Sequence, residues 1–374
     1  MRIEADKESL IRGVSISDSV VSSKNVNTIL SNCLFTVSKD TMEITGTDNE
    51  MAVTTRVDVV ADGDMTFTVN GKRLVNLLKE FPEGSVVLDV NEKYSVNLTS
   101  KSGAIKGEYV IVGTGGDEFP ELPQFDKSNL IEVDQSIIQE MIKKTIHAAA
   151  HDIVKPVFNG LYFVSAAENK LTAVATDSRR LALIDRNINN DITIDNGVVI
   201  PLKAIHELVR LLGQKDTCMM SFDNRQCYFR IGTTEIISRI VEGQFPDYTQ
   251  VIPKDYILKA VVETKKIRES LSRVRIFTRE PSWKILLNFK GDVLTIEANA
   301  PDLGEGKEDV QVESDSSEEI TVGLNAQFLM DALRDIDAYS VTIGVTGVMS
   351  PLTLVPEGDD DYLAVIMPIQ VKSS

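Results

Sequence analysis

The residues whose types and spacing could do chemistry fall in four places. In VATDSRRLALIDR (174 to 186), Asp177 precedes Arg179 and Arg180 in a polar step between two apolar runs. Such a step could supply a catalytic carboxylate, a phosphate clamp or a hairpin turn. His147 and His151 have the i, i+4 spacing of a helical metal pair, but Ala148 stands where a zinc-protease helix carries glutamate, and no third ligand follows at a recognisable distance. The loop VGTGGDEF (112 to 119) resembles part of a dinucleotide fingerprint, yet G-x-G-x-x-G is incomplete and no helical pattern follows it. Cys33, Cys218 and Cys227 are odd in number, far apart and set in apolar sequence, which predicts reduced core thiols rather than disulfides or a zinc site. No nucleophile has an assignable base. The residues therefore predict a non-enzyme with no catalytic residues, metal or cofactor, and a nucleotide-acting enzyme using the GTGG loop and the aspartates is the competing reading.

The elements that carry these residues repeat. A strand, a polar turn and a second strand occur as MEITGTDNEMAVTTRVDV (42 to 59), as LTAVATDSRRLALIDRNI (171 to 188) and, more weakly, as LTIEANAPDLGEGKEDVQV (294 to 312). Aligning Asp48, Asp177 and Ala300 puts the copies 129 and 123 residues apart, close to one third of 374. Equivalent positions belong to different copies and the third has alanine, so the aspartates are expected to build turns rather than to act as a pair. A helix followed by a strand recurs behind each copy, as VNGKRLVNLLKEFPEGSVVLDV, IPLKAIHELVRLLGQKDTCMMSF and LNAQFLMDALRDIDAYSVTIGV. In the middle one Leu202, Ile205, Leu208, Val209 and Leu212 form an apolar face opposite Lys203, His206 and Arg210. Each copy also opens with a strand and an amphipathic helix, and the segments GGDEFPELP and EGQFPDYTQVIP read as linkers. The pattern predicts an α+β fold of three similar domains, 1–125, 126–252 and 253–374, each with two helices packed on antiparallel sheets of about eight strands.

Apolar content of 43% and charged content of 25% suit a globular chain. No run approaches a membrane span, and the start MRIEADKESLIRG is charged where a signal peptide needs an apolar block, so no membrane and a cytoplasmic location are expected. A net charge of −17 argues at first against nucleic acid. Its distribution argues otherwise. Residues 264–279 hold six Lys or Arg against Glu269 alone, and segments 72–80 and 203–215 each hold three bases against one acid, while acids crowd into apparent loops. The third copy dissents, with Asp331, Asp335 and Asp337 against Arg334. No aromatic residues interleave the basic faces, so any nucleic-acid contact is expected to be to phosphate and indifferent to sequence.

Taken in order, TGTDNEM, FPEGS, EFPELP, FNGLYF, VATDSRRLA, IPLKAIHEL, EGQFPDYTQVIP and VIMPIQV resemble the bacterial DNA polymerase III beta subunit, the replicative sliding clamp, over essentially the whole chain. The resemblance implies a ring-shaped head-to-tail homodimer that encircles double-stranded DNA and tethers the polymerase III catalytic subunit, the clamp loader and other clamp-motif proteins. It implies a partner-peptide pocket at Phe158, Thr176, Arg180, Leu181, Pro246, Val251, Val365, Ile366, Met367 and Pro368. For DNA it implies Lys24, Lys72 or Arg73, His151, Lys155 and Lys203, and for the dimer interface Ile276 and Phe277 against the strand at Tyr109, Val110 and Ile111. Two departures stand out. Ser178 and Arg179 replace the family's usual Gly-His, at a place where glycine tolerates a positive φ better than serine. Pro156 and Val157 stand where relatives often carry tyrosines. A peptide-binding repeat scaffold that does not encircle DNA is the other reading.

Overall fold

A computed structural model of the chain describes residues 1–21, 28–101, 107–152, 154–167, 169–190, 194 and 197–370. Six helices lie two to each third of the sequence: α1 (Lys7–Asp18), α2 (Gly71–Lys79), α3 (Gln135–Thr145), α4 (Leu202–Leu211), α5 (Thr264–Val274) and α6 (Ala326–Arg334). Their starts are written in the sequence. Asp6 accepts from Ser9 N at 2.8 Å, Asn70 from Arg73 N at 2.9 Å and Asn325 from Gln327 N at 2.8 Å, each cap contributing about 1 kcal/mol to its helix. Apolar residues three and four apart then bury one stripe of each helix, Leu74, Val75 and Leu78 in α2 and Ile267, Leu271 and Val274 in α5.

The chain divides into two compact units: residues 1–133, 210–212 and 216–240, and residues 134–209, 213–215 and 241–374. The first holds a 13-stranded sheet and the second a 12-stranded sheet, and neighbouring strands such as Arg2–Asp6 with Met51–Ala61 and Arg180–Asn187 with Tyr362–Ile366 run antiparallel. Strands from the middle third contribute to both sheets. The cause is visible in strand Met51–Ala61. One edge pairs along its length with Thr41–Thr47. The other edge changes partner, pairing over 51–55 with Thr234–Arg239 from the middle repeat and over 59–61 with Arg2–Asp6. Strand Arg180–Asn187 repeats the scheme in the second unit, pairing with Lys170–Thr176 on one side and with Tyr362–Ile366 from the last repeat on the other.

The third copy follows suit only in part. Strand Gly304–Ser314 pairs with Val293–Ala300, and its residues 312–314 pair with Leu258–Glu263. Among the described residues, nothing pairs with the second edge of its first half. An edge is open in the first unit also, where Tyr109–Ile111 pairs on one side with Val96–Ser100 and ends the sheet.

Each core is a layer between helices and sheet. In the first unit Leu10 and Val14 of α1 and Leu74 and Leu78 of α2 meet Phe35, Ile44, Phe67 and Leu88, with the Phe35 and Phe67 rings stacked 5.1 Å apart. All three cysteines are buried thiols outside any disulfide, as the sequence predicts. Burial pushes the Cys227 thiol up to about 12, so it stays protonated.

Candidate functional site

Asp177 is a turn residue. Its Oδ1 accepts from Arg179 N at 2.9 Å and Arg180 N at 3.0 Å, while Thr176 Oγ1 donates to Arg180 O at 2.7 Å and accepts from Ser178 N at 3.1 Å. The first repeat has the same bonds. Asp48 accepts from Glu50 N and Met51 N, and Thr47 Oγ1 bonds Met51 O and Asn49 N. The residue after each aspartate has a positive φ, 75° at Asn49 and 72° at Ser178. Asparagine tolerates that conformation. Serine is held there with the N–H groups of Ser178, Arg179 and Arg180 all accepted by the Thr176 and Asp177 side chains.

Beyond the turn, Arg180 is held on three sides. Its Nε lies 3.1 Å from Asp177 Oδ2, its Nη1 lies 2.7 Å from Asp331 Oδ2 on α6, and its guanidinium sits 4.4 Å over the Phe328 ring. Asp331 in turn accepts from Gln327 Nε2 at 2.9 Å. Under this assembly lies His147, 8% exposed, whose Nδ1 has no partner. Burial, with Arg180 and Arg334 adding to it against Asp331, lowers its pKa to about 3 and leaves the imidazole neutral. Of the i, i+4 pair, His147 is buried and His151 exposed, and no group of three or more potential metal ligands forms among the described residues.

The turn, the linker and the last strand enclose a cavity of about 200 Å³. Phe158, Leu181 and Val365 give it an apolar floor, continuous with a cluster in which the Tyr162 and Phe245 rings stack 4.6 Å apart. Thr176, Arg180, Pro246, Val251 and Met367 complete the part expected from the sequence. Ile366 and Pro368 do not line it. Ile366 is buried as the strand partner of Arg180. Three lining residues were not expected: Ser178, Asp247 and Tyr248. The last two lie inside the linker EGQFPDYTQVIP, where Asp247 caps a short 3-10 turn by accepting from Thr249 N, Thr249 Oγ1 and Gln250 Nε2. Those bonds, led by the Thr249 hydroxyl, hold its carboxyl below the usual range. The chain beyond the last strand is fixed at the cavity by Met367 N donating to Arg179 O and Ile369 N to Gly323 O, each at 2.8 Å.

The residues expected at DNA are exposed where they are described. Lys72 and Arg73 lie on the outer face of α2, Lys203 opens α4, and His151 and Lys155 lie in the segment after α3. Lys24 lies outside the described residues. Lys155 also caps the cavity wall, its Nζ 5.3 Å over the Phe158 ring. The charge along 264–279 is less available than its count implies. Arg268 turns to the end of α6, donating from Nε to Leu333 O at 2.8 Å and from Nη2 to Ile336 O. Arg273 pairs with Glu308, Arg279 with Asp302 and Lys266 with Glu263.

At the open edges, Val110 and Ile276 are 63% and 68% exposed, and Tyr109 packs its ring 5.3 Å from Phe81. Ile111 turns inward and is buried, so it offers an edge only its backbone. Phe277 lies across the strand starting at Gly304, where a Cβ on Gly306 would come within 2.5 Å of its ring.

Three family models match in sequence order: the N-terminal domain of the DNA polymerase III beta subunit over residues 1–123, its central domain over 132–247 and its C-terminal domain over 249–370. The beta sliding clamp of Staphylococcus aureus is 28% identical over 337 residues, covering 87% of this chain and 88% of the relative. That of Staphylococcus epidermidis is 26% identical over 360 residues, 94% of each. Among solved structures, the DNA polymerase III subunit beta from Pseudomonas aeruginosa superposes with a TM-score of 0.92 at 26% identity, covering 99% of this chain and 100% of the other. The beta subunit from Thermotoga maritima gives 0.89 at 28% identity and 99% coverage of both.

Proposed function

The chain belongs to the DNA polymerase III beta subunit family, the DNA sliding clamps, and from that premise we propose that two copies close head to tail around duplex DNA and tether replication proteins through the Phe158–Leu181–Met367 cavity. The observation that carries the ring is the pair of open edges. Strand 51–55 takes its second partner from the last strand of the next repeat, and so does strand 180–184. By the same rule the first half of Gly304–Ser314 needs a strand from the end of a first repeat, and Tyr109–Ile111, followed there only by the two-residue strand Thr114–Gly115, has an open edge. A second copy supplies it, and the arrangement is heterologous, so two such contacts form a closed assembly. Ile276, Phe277, Tyr109 and Val110 then bury their exposed apolar surface. The domain limits 1–125, 126–252 and 253–374 follow the same repeat.

On this reading the protein works by topology and is not an enzyme. DNA is held because it cannot leave sideways, so contacts to phosphate from Lys72, Arg73, His151, Lys155 and Lys203 need only be weak, and the net charge of −17 repels other DNA. The cavity has an apolar floor with the unbranched Met367 side chain in its lining, which suits a short apolar peptide of the polymerase catalytic subunit, the clamp loader or another clamp-binding protein. Among the described residues no helix is long and apolar enough to cross a membrane, and a cytoplasmic location fits replication. The test is topological. Protein loaded by a bacterial clamp loader onto a nicked circle should be lost when the circle is linearised, by sliding off the ends. Equal retention on both forms would sink the ring and favour the scaffold that binds peptides without encircling DNA.

A further inference from the structure

A groove of about 670 Å³ within the first unit plays no part in the reading above. Its floor is one face of five neighbouring antiparallel strands, Cys33–Val37, Thr41–Thr47, Met51–Ala61, Thr234–Arg239 and Gln226–Ile231, and its roof is the linker at 122–127. The register sets Leu34, Thr45, Thr54, Glu235 and Arg230 side by side across that face, with Thr36, Glu43 and Arg56 in the next row. Leu34 meets Leu122 and Pro123 of the linker at an apolar end, while Arg56 and Arg230 lie toward the other. The linker is pinned by Phe125, whose ring stacks 5.4 Å from that of Tyr228, and by Lys127, whose Nζ donates to both Glu235 oxygens at 2.9 and 2.7 Å. That pair neutralises itself. Glu43 stands opposite Arg56, but among the described residues no acid forms an ion pair with Arg56 or Arg230, and both are exposed. The lining thus holds three bases against two acids in a chain of net charge −17.

We propose that this groove is a docking surface for an extended segment of a partner protein, with acidic side chains over Arg56 and Arg230 and an apolar one against Leu34. Length favours a chain over a compact anion. Five strands at a spacing of about 4.8 Å span roughly 19 Å, the reach of about six extended residues, whereas an ion such as phosphate fills only a corner. Arg56 and Arg230 lie two strands and two residues apart, so their Cα atoms are about 12 Å from each other, and acids at alternate positions of an extended segment, about 7 Å apart, come within reach of both long side chains. The net charge of the whole chain repels a polyanion, so the composition that fits is a few acids joined to apolar residues.

Fluorescence anisotropy with the full chain tests this, using a labelled Leu-Leu-Ser-Asp-Ser-Asp peptide and its counterpart with Asn for Asp. Excess unlabelled Leu-Leu-Phe peptide is present throughout, to occupy the cavity at Phe158 and Leu181. The Asp peptide should bind about tenfold more tightly than the Asn peptide, the effect of two exposed ion pairs. Arg56→Gln and Arg230→Gln should each remove about threefold of that preference, and the double variant all of it. Both guanidiniums are unpaired in the folded chain, so the variants should melt like the wild type. Equal binding of the two peptides, binding of neither, or an Asp preference that survives the double variant overturns the proposal. Pyrophosphate is the second probe and should compete more weakly than unlabelled Asp peptide; tighter competition would make the occupant a small anion and overturn the assignment to a protein segment.

Discussion

Single residues carry most of what the sequence left open around the cavity. Asp177 was legible, because its counterpart Asp48 sits in an equivalent turn and a repeated aspartate in separate copies points to geometry. Arg180 was legible only as a pocket residue. Its clamp comes from Asp331 and Phe328, about 150 positions away, and no periodicity within the strand reports so distant a partner. His147 was noticed for the wrong property, its spacing to His151. Burial is what matters. An unfolded histidine protonates near 6.5, whereas here the pKa falls to about 3, so below pH 6.5 the unfolded chain takes up a proton that the folded chain refuses. Stability should therefore be undiminished by this group above pH 7 and fall as the pH drops, by about 2 kcal/mol at pH 5. Urea unfolding at pH 7 and pH 5 measures the loss, and His147→Phe should remove that share of it. A pH dependence unchanged in the variant would show that other groups account for it.

Among the elements, α5 and α6 show how a charge count misleads. The sequence predicts a basic α5, and the acids of α6 look like a departure from the pattern. In the structure the two helices share the explanation. Asp331 of α6 serves Arg180, and Arg268 of α5 closes the carboxyl end of α6 by donating to Leu333 O in its last turn and to Ile336 O just beyond it. Arg268→Ala should then cost about 2 kcal/mol in urea unfolding, as for hydrogen bonds from a charged donor to the ends of a helix. Arg268→Lys should recover only part, since an ammonium lacks the two-pronged geometry. The slope of DNA binding against log salt should not change in either variant, because this cation faces protein. A reduced slope would return Arg268 to the DNA face. Helix positions themselves were readable, since Asp6, Asn70 and Asn325 announce three of the six starts and the apolar stripes follow.

For the whole molecule, the threefold repeat and its α+β class were plain in the sequence, whereas the sharing of the middle third between two sheets was not. That sharing depends on which strand occupies the second edge of the long hairpins, a long-range choice with no local signal. The open edges lead to a test with two sides. Val110→Arg and Ile276→Arg should each turn a dimer into a monomer in sedimentation velocity, while thermal unfolding of the monomer stays cooperative, since both side chains are exposed in the single chain. Persistent dimers in both variants would place the interface elsewhere. The lengths of the edges carry one more consequence, a mechanical one. Within the chain, strands meet across five residue pairs at 51–55 and again at 180–184. The edge offered to a second copy, Tyr109–Ile111, is three residues long and is the terminal strand of its sheet. With fewer backbone hydrogen bonds to offer than either longer seam, it is the weaker join, so tension on the assembly is expected to open it between subunits before any subunit comes apart.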